Sequence, residues 1–134
     1  MKIGLTLIAL PFAFALTGAQ AADRTPEARL EKALKGYEPG QPVKCIMLRN
    51  IRSSQIFDRI GILYDMGGGL KYLNRPASGA ESLRSGTTMV TDTRSSELCN
   101  IDIVRLYDAS SRMSAGFVGL GDFVPYKKPS AKSR

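Results

Sequence analysis

The chain has 134 residues with 19 lysines and arginines, 12 aspartates and glutamates, two cysteines and no histidine, and its net charge is +7. Without histidine it has no Ser-His-Asp or Cys-His catalytic arrangement, no histidine ligand for zinc and no imidazole base. The length suits one small domain.

The first 21 residues have the pattern of a secretory signal peptide. Lys2 gives a short positive region, residues 3–16 are mainly apolar, and Ala19-Gln20-Ala21 forms a small-x-small cleavage site. A transmembrane helix is the weaker alternative, because the apolar run is shorter than the ~20 residues that a bilayer core requires. We therefore expect cleavage after Ala21, a periplasmic or secreted protein, and no transmembrane segment in the mature chain.

Residues 22–41 read as an N-terminal helix followed by a linker. Thr25 is suited to cap a helix, and Pro26 is tolerated at the first helical position because no backbone N–H is required there. Leu30 and Leu34 recur at helical spacing, and Gly36 is a suitable stop. The pattern predicts a short amphipathic helix over residues 26–35.

Residues 42–126 form the predicted β-rich domain, because short apolar runs alternate with turn residues. Gly67-Gly68-Gly69 is a hairpin turn in this interpretation, and residues 74–86 are mostly loop. This spacing predicts a mainly β fold, a small antiparallel sandwich or partly open barrel of five to seven strands. The strand candidates are residues 43–47, 55–57 and 59–64 (separate or continuous), 70–73, 87–91, 101–107, 115–120 and 122–126.

Residues 127–134 are predicted to be a basic, disordered tail. Loss of Lys2 with the signal peptide lowers the net charge from +7 to +6, and these eight residues account for +4 of it. The remaining domain is therefore close to neutral. Such a tail attracts anionic surfaces in general, or it is simply a solvated terminus.

Cys45 and Cys99 are predicted to form a disulfide, because both lie in the exported part of the chain. A bridge between positions 54 residues apart contributes roughly 4 kcal/mol in the chain-entropy model. A redox or nucleophilic thiol is the rival interpretation, but neither a CxxC pair nor a histidine supports it.

The other motifs do not indicate a cofactor, a metal site or catalytic residues. The three consecutive glycines are not followed by the Gly-Lys-Ser/Thr of a phosphate-binding loop. The aspartates do not form a calcium-binding loop, although carboxylates distant in sequence can still converge in space. Nucleic acid is not an expected partner of an exported chain whose aromatic residues occupy strand positions.

The candidate ligand site is the polar run around two arginines, Arg49, Asn50, Arg52 and Ser54. Guanidinium groups beside amide and hydroxyl donors suit a phosphate or carboxylate. The alternative is an ordinary polar connection whose arginines lie on the surface or pair with Asp58 and Asp102. Similar polar runs at 94–96 and 110–112 weaken any special role for the first one.

The chain resembles a group of short exported proteobacterial proteins of unknown function. The resemblance rests on the runs CIMLRNIRSSQI at 45–56, YLNRP at 72–76, LCNID at 98–102 and GFVGLGDFVPY at 116–126. It implies an exported, single-domain, disulfide-linked protein, and it implies no activity. Some members carry two further cysteines, which this chain lacks, so the resemblance implies no second disulfide here.

We expect a non-enzymatic binding or structural module that acts on an envelope component, such as an anionic one. The first alternative is a small envelope hydrolase, which two buried carboxylates about 5–10 Å apart in a cleft would favour. The second is a protein-inhibitor module, which a long exposed loop at residues 74–86 would favour.

Overall fold

The computed structural model describes residues 24–130, which fold into one helix and ten strands in three antiparallel sheets. The predicted signal peptide and the last four residues of the predicted tail lie outside the described residues. The helix is α1 (Pro26–Leu34), and the strands are β1 (Glu38–Pro39), β2 (Cys45–Met47), β3 (Ser53–Phe57), β4 (Gly61–Gly67), β5 (Leu70–Asn74), β6 (Thr87–Thr91), β7 (Glu97–Cys99), β8 (Ile103–Asp108), β9 (Ser114–Gly119) and β10 (Phe123–Lys127).

Helix α1 begins and ends with the signals that its sequence carries. The Thr25 hydroxyl accepts a hydrogen bond from the Ala28 backbone N–H at 3.2 Å, which satisfies one of the free donors at the helix start. Gly36 has φ +81°, a left-handed conformation that favours glycine after a helix. The predicted helix is confirmed to within one residue at its C-terminus.

The largest sheet has the strand order β1-β10-β5-β4-β3. Strands β3 and β4 are two separate antiparallel strands, so the continuous alternative for residues 55–64 is wrong. A tight turn divides them, in which Arg59 has φ +60° and the Ile60 N–H donates to the Phe57 carbonyl at 3.0 Å. The glycine hairpin between β4 and β5 is confirmed, and all three glycines have positive φ.

The two smaller sheets are the ladder β2–β7 and the three-stranded sheet β6-β8-β9. The mainly β prediction is confirmed, and the strands do not close into a barrel. Sequence patterning missed β1 and β7, because two or three residues are too few to display alternation. With these two strands and the division of residues 55–64 into β3 and β4, residues 24–130 form ten strands where five to seven were expected.

The five-stranded sheet, which we call the central sheet, packs against other elements on both of its faces. Helix α1 covers one face, where Leu30 packs with Phe57, Leu63 and Leu73. The two smaller sheets pack against the other face in a larger core. The buried members of that larger core are Ile46, Ile56, Ile62, Tyr64, Leu83, Leu98, Val104, Leu106, Val118, Leu120 and Phe123.

Residues 75–86 are fastened to the body of the protein at several points. Ser78 forms a bridge with Gly119, and Leu83 is fully buried in the larger core. Ser85 donates to Asp58 through both its backbone N–H and its hydroxyl. The long exposed loop that would favour an inhibitor is therefore not formed by this segment.

The start of the predicted tail belongs to the fold. Lys127 is the last residue of β10, and the Lys128 N–H donates to the Gly69 carbonyl at 2.9 Å. The Lys128 ammonium lies 5.6 Å from the centre of the Tyr37 ring. Disorder from residue 127 onward is thus wrong for these first two residues. Among residues 24–130, the structure has no helix that is both long and apolar enough to cross a membrane.

Candidate functional site

A cavity of about 590 Å³ lies between the β2–β7 ladder and the β4–β5 hairpin. Three of the four predicted ligand-binding residues, Arg49, Asn50 and Arg52, line it. The ladder contributes Cys45, Ile46, Met47 and Glu97, and the hairpin contributes Met66, Gly67, Leu70 and Tyr72. The two arginines thus share one concave surface with residues that are distant in sequence.

Arg49 and Asn50 are positioned by a short 3-10 turn over Leu48–Asn50. The Leu48 N–H donates to the Ser96 carbonyl at 3.0 Å, and the Ile51 N–H donates to the Leu48 carbonyl at 3.1 Å. Leu48 and Ile51 pack against the larger core, while Arg49 and Asn50 are exposed. The turn therefore anchors its apolar ends and presents its polar middle to the cavity.

Arg52 is the residue immediately before β3, and it lines the cavity. Its backbone N–H donates to the Asp65 carbonyl at 2.8 Å, which continues the β3–β4 ladder by one bond. Its side chain lies against Gly67, where a Cβ atom would overlap the guanidinium stem. Gly67 also has φ +74°, so both its conformation and the space it leaves favour glycine. The hairpin glycine thus makes room for Arg52.

Ser54 lies apart from the other three predicted residues. It lines a different concavity together with Gln55, Ser85, Thr87 and Met89, between the edges of β3 and β6. Ser54 is two residues beyond Arg52 on an extended strand, which moves it about 6.6 Å along the sheet. The structure therefore does not bring Ser54 into the cavity that Arg49, Asn50 and Arg52 share.

Five aspartate side chains accept hydrogen bonds from groups other than the cavity arginines. Asp102 accepts from the Cys99 N–H at 2.7 Å, and Asp122 accepts from the Asn100 amide at 2.7 Å. The others are Asp58 with Ser85, Asp65 with the Gly67 N–H, and Asp108 with Ser110 and Ser111. The predicted alternative partners of the arginines, Asp58 and Asp102, are thus engaged elsewhere.

These hydrogen bonds lower the pKa values of two of the carboxyl groups. The Ser85 hydroxyl is the main cause of the lowered pKa of Asp58, and Arg29 and Arg84 act in the same direction. Hydrogen bonds from the Ser110 hydroxyl and the Ser111 backbone lower the pKa of Asp108. Asp108 caps the turn that contains residues 110–112, whereas Asp58 joins the β3–β4 turn to Ser85, 27 residues away. The run at 94–96 likewise forms its own short-range hydrogen bonds.

Burial gives no support to a carboxylate hydrolase within residues 24–130. Asn74 is the single buried polar or charged residue in that range. Its amide N–H donates to the Gly121 carbonyl at 2.6 Å, and its carbonyl oxygen accepts from the Gly121 N–H at 3.0 Å. The side chain replaces a pair of backbone hydrogen bonds, which is a structural role.

Cys45 and Cys99 form the predicted disulfide, as directly opposed residues of the β2–β7 ladder. A Glu97 carboxylate oxygen lies within 4.8 Å of both sulfur atoms. Two cysteines and a carboxylate this close resemble a soft-metal site, but metal binding requires thiolates. Because the two sulfurs are bonded to each other, this group is a disulfide with a carboxylate beside it.

The sequence motifs did not predict Glu97 or the apolar lining of the cavity. The position of Glu97 could have been predicted from the disulfide. If Cys45 lies opposite Cys99 in an antiparallel ladder, then Met47 lies opposite Glu97. Met66, Leu70 and Tyr72 flank the glycine hairpin, and only the packing of that hairpin beside the 3-10 turn brings them to the cavity.

Comparison with known proteins gives no relative for this architecture or this cavity. No protein-family model, no curated protein and no solved structure matches the chain.

Proposed function

We propose that the protein is a non-enzymatic binding module of the cell envelope that takes a small anionic ligand in the Arg49–Arg52 cavity. The observation that carries the proposal is the convergence of two exposed arginines and an exposed asparagine on one 590 Å³ cavity. A volume of this size suits a small molecule. Guanidinium groups match carboxylate and phosphate geometry through paired N–H donors.

The surroundings of the arginines support anion binding. Two guanidiniums and one carboxylate, Glu97, leave the cavity lining with one net positive charge. Asp65, whose backbone carbonyl accepts from the Arg52 N–H, uses its side chain to accept from the Gly67 N–H at 2.7 Å. An incoming anion therefore meets donors that the neighbouring aspartate does not occupy.

The envelope location in this proposal rests on the signal-peptide pattern and on the disulfide. A disulfide persists in an oxidising compartment such as the periplasm or the extracellular space. In such a space the cavity is open to small metabolites and to anionic groups of envelope components. The resemblance to exported proteobacterial proteins remains a separate expectation.

The test is a titration of the oxidised protein with inorganic phosphate and with hexanoate, followed by amide chemical shifts. We expect saturable shifts at residues 49–52 and 66–67, which border the cavity. The double variant Arg49→Ala/Arg52→Ala should abolish saturation with little change in stability, because both side chains are exposed.

A matched control keeps the same loss of charge but leaves the cavity intact. Arg94 and Arg105 are exposed and lie outside its lining, so Arg94→Ala/Arg105→Ala should bind both probes like the parent protein. Equal loss in the two double variants would mean that only net charge attracts the probes. Saturation that survives in Arg49→Ala/Arg52→Ala would eliminate the cavity as the site.

A further inference from the structure

The cavity carries its charges on different walls. Arg52 lies against Gly67 at the end of the β4–β5 hairpin, and Arg49 projects from the 3-10 turn. Glu97 lies on the β2–β7 ladder, with its carboxylate within 4.8 Å of the Cys45 and Cys99 sulfurs. The positive and the negative charges therefore come from separate elements.

Glu97 is exposed and remains available to a ligand. Its backbone N–H is held by the Ser95 hydroxyl at 3.3 Å, which fixes the strand but leaves the side-chain carboxylate unused. Glu97 and the two arginines line the same cavity from separate elements of the fold. A purely anionic ligand would have to enter beside this carboxylate, and like charges at short range oppose that.

Apolar side chains line the cavity together with these charges. Met47 opposes Glu97 directly across the ladder, and Met66, Leu70 and Tyr72 line the cavity from the hairpin. Methionine side chains adapt to varied apolar shapes, so this surface suits an alkyl or thioether chain.

We propose that the ligand of this cavity is a zwitterion with an apolar side chain, an inference that rests on the proposed function. Arg49 and Arg52 bind its carboxylate or phosphate, Glu97 binds its ammonium group, and the Met47–Met66–Leu70–Tyr72 surface covers its apolar part. Free amino acids with apolar side chains and amino-phosphate headgroups share this chemistry.

The test uses three probes with the same six-carbon chain. Norleucine carries both charges, hexanoate carries only the negative one, and hexylamine carries only the positive one. We expect norleucine to bind the oxidised protein about fivefold more tightly than hexanoate, as for one additional charge pair at an exposed carboxylate. Hexylamine should bind most weakly, because the cavity lining has a net positive charge.

The variant Glu97→Gln separates the ammonium contact from the anion contact. It should weaken norleucine binding about fivefold and leave hexanoate binding equal or tighter. Arg49→Ala/Arg52→Ala should abolish the binding of both. Phosphoethanolamine tested beside norleucine distinguishes a headgroup from an amino acid as the source of the zwitterion.

Each outcome has a distinct meaning. Equal binding of norleucine and hexanoate, with no effect of Glu97→Gln, would overturn the zwitterion and leave anion binding in place. Saturation by none of norleucine, hexanoate, phosphoethanolamine and inorganic phosphate would overturn the proposed function itself. Preferential binding of hexylamine would overturn both.

Discussion

The two faces of the central sheet are built from different kinds of contact. The helix-covered face joins Leu30 to Phe57, Leu63 and Leu73, all within the first part of the described chain. On the opposite face, a core of eleven buried residues between Ile46 and Phe123 includes side chains from all three sheets. One face thus depends on a helix and neighbouring hairpins, and the other depends on pairing between strands distant in sequence.

The cavity belongs to the second face, and this location explains why its composition is hard to foresee. Ile46 is buried in the larger core and also lines the cavity, and Met66 and Tyr72 pack against the same core. The disulfide stabilises one wall by joining β2 to β7. Damage to the second face should therefore disturb ligand binding, whereas damage to the helix face should spare it.

The largest effect should come from truncating an aromatic residue on the second face. Phe123 is fully buried, and its ring centre lies 5.9 Å from that of Tyr64. Phe123→Ala should lower the free energy of unfolding by about 3–5 kcal/mol, because it removes apolar burial and leaves a cavity. Urea denaturation measures the change.

Leu30→Ala is the matched truncation on the helix face. Leu30 is 6% exposed and belongs to a cluster of four buried residues. We expect a loss of about 2–3 kcal/mol, toward the lower end for leucine, because the helix surface can relax toward the site. A larger loss for Leu30→Ala than for Phe123→Ala would reverse the ranking of the two faces.

The disulfide should contribute slightly less than Phe123 and act locally. Cys45→Ala/Cys99→Ala frees a loop closed over a separation of 54 residues, and the expected loss is about 4 kcal/mol at most. Hydrogen exchange should accelerate more at amides of β2 and β7 than at those of α1. Uniform acceleration across the chain would show that the two faces unfold as one cooperative unit.

The smallest effect should be a pH dependence at the contact that links the two faces. Asp58, in the β3–β4 turn, accepts hydrogen bonds from Ser85, two residues after the buried Leu83. Because folding lowers the pKa of Asp58, the unfolded state binds more protons in acid. The stabilisation is present above the unfolded pKa of about 3.9 and is lost as the pH falls through the folded value.

Asp58→Asn removes this titration while keeping a similar shape. The difference in unfolding free energy between the parent and Asp58→Asn should shrink between pH 6 and pH 3. Urea denaturation at several pH values measures this difference. Glu81→Gln is the control, because Glu81 is an exposed carboxyl in the segment 75–86 that also contains Ser85. A pH-independent difference would assign the contribution of Asp58 to geometry alone.

Local signals predicted the elements that local physics dictates. The Thr25-Pro26 start of α1, the glycine hairpin and strand β6 at 87–91 all follow from capping, positive φ or alternation. Strand β7 gave no such signal, since only Leu98 of its three residues is buried and its pairing with β2 is long-range. The sequence left open whether residues 55–57 and 59–64 form one strand or two. The turn between them depends on Arg59 with positive φ, a conformation that residue composition does not predict for an arginine.

Residue types a few positions apart were enough to predict the mainly β fold class, helix α1 and the grouping of Arg49, Asn50 and Arg52. The presence of two cysteines was enough to predict the disulfide. Only the three-dimensional packing places Ser54 outside the cavity of Arg49 and Arg52. The same packing brings Glu97, Met66, Leu70 and Tyr72 into the lining of that cavity. The register of β2 with β7 and the packing of the β4–β5 hairpin beside the 3-10 turn bring these residues together. Such long-range placement is set by the shared burial of apolar side chains, which no local spacing encodes.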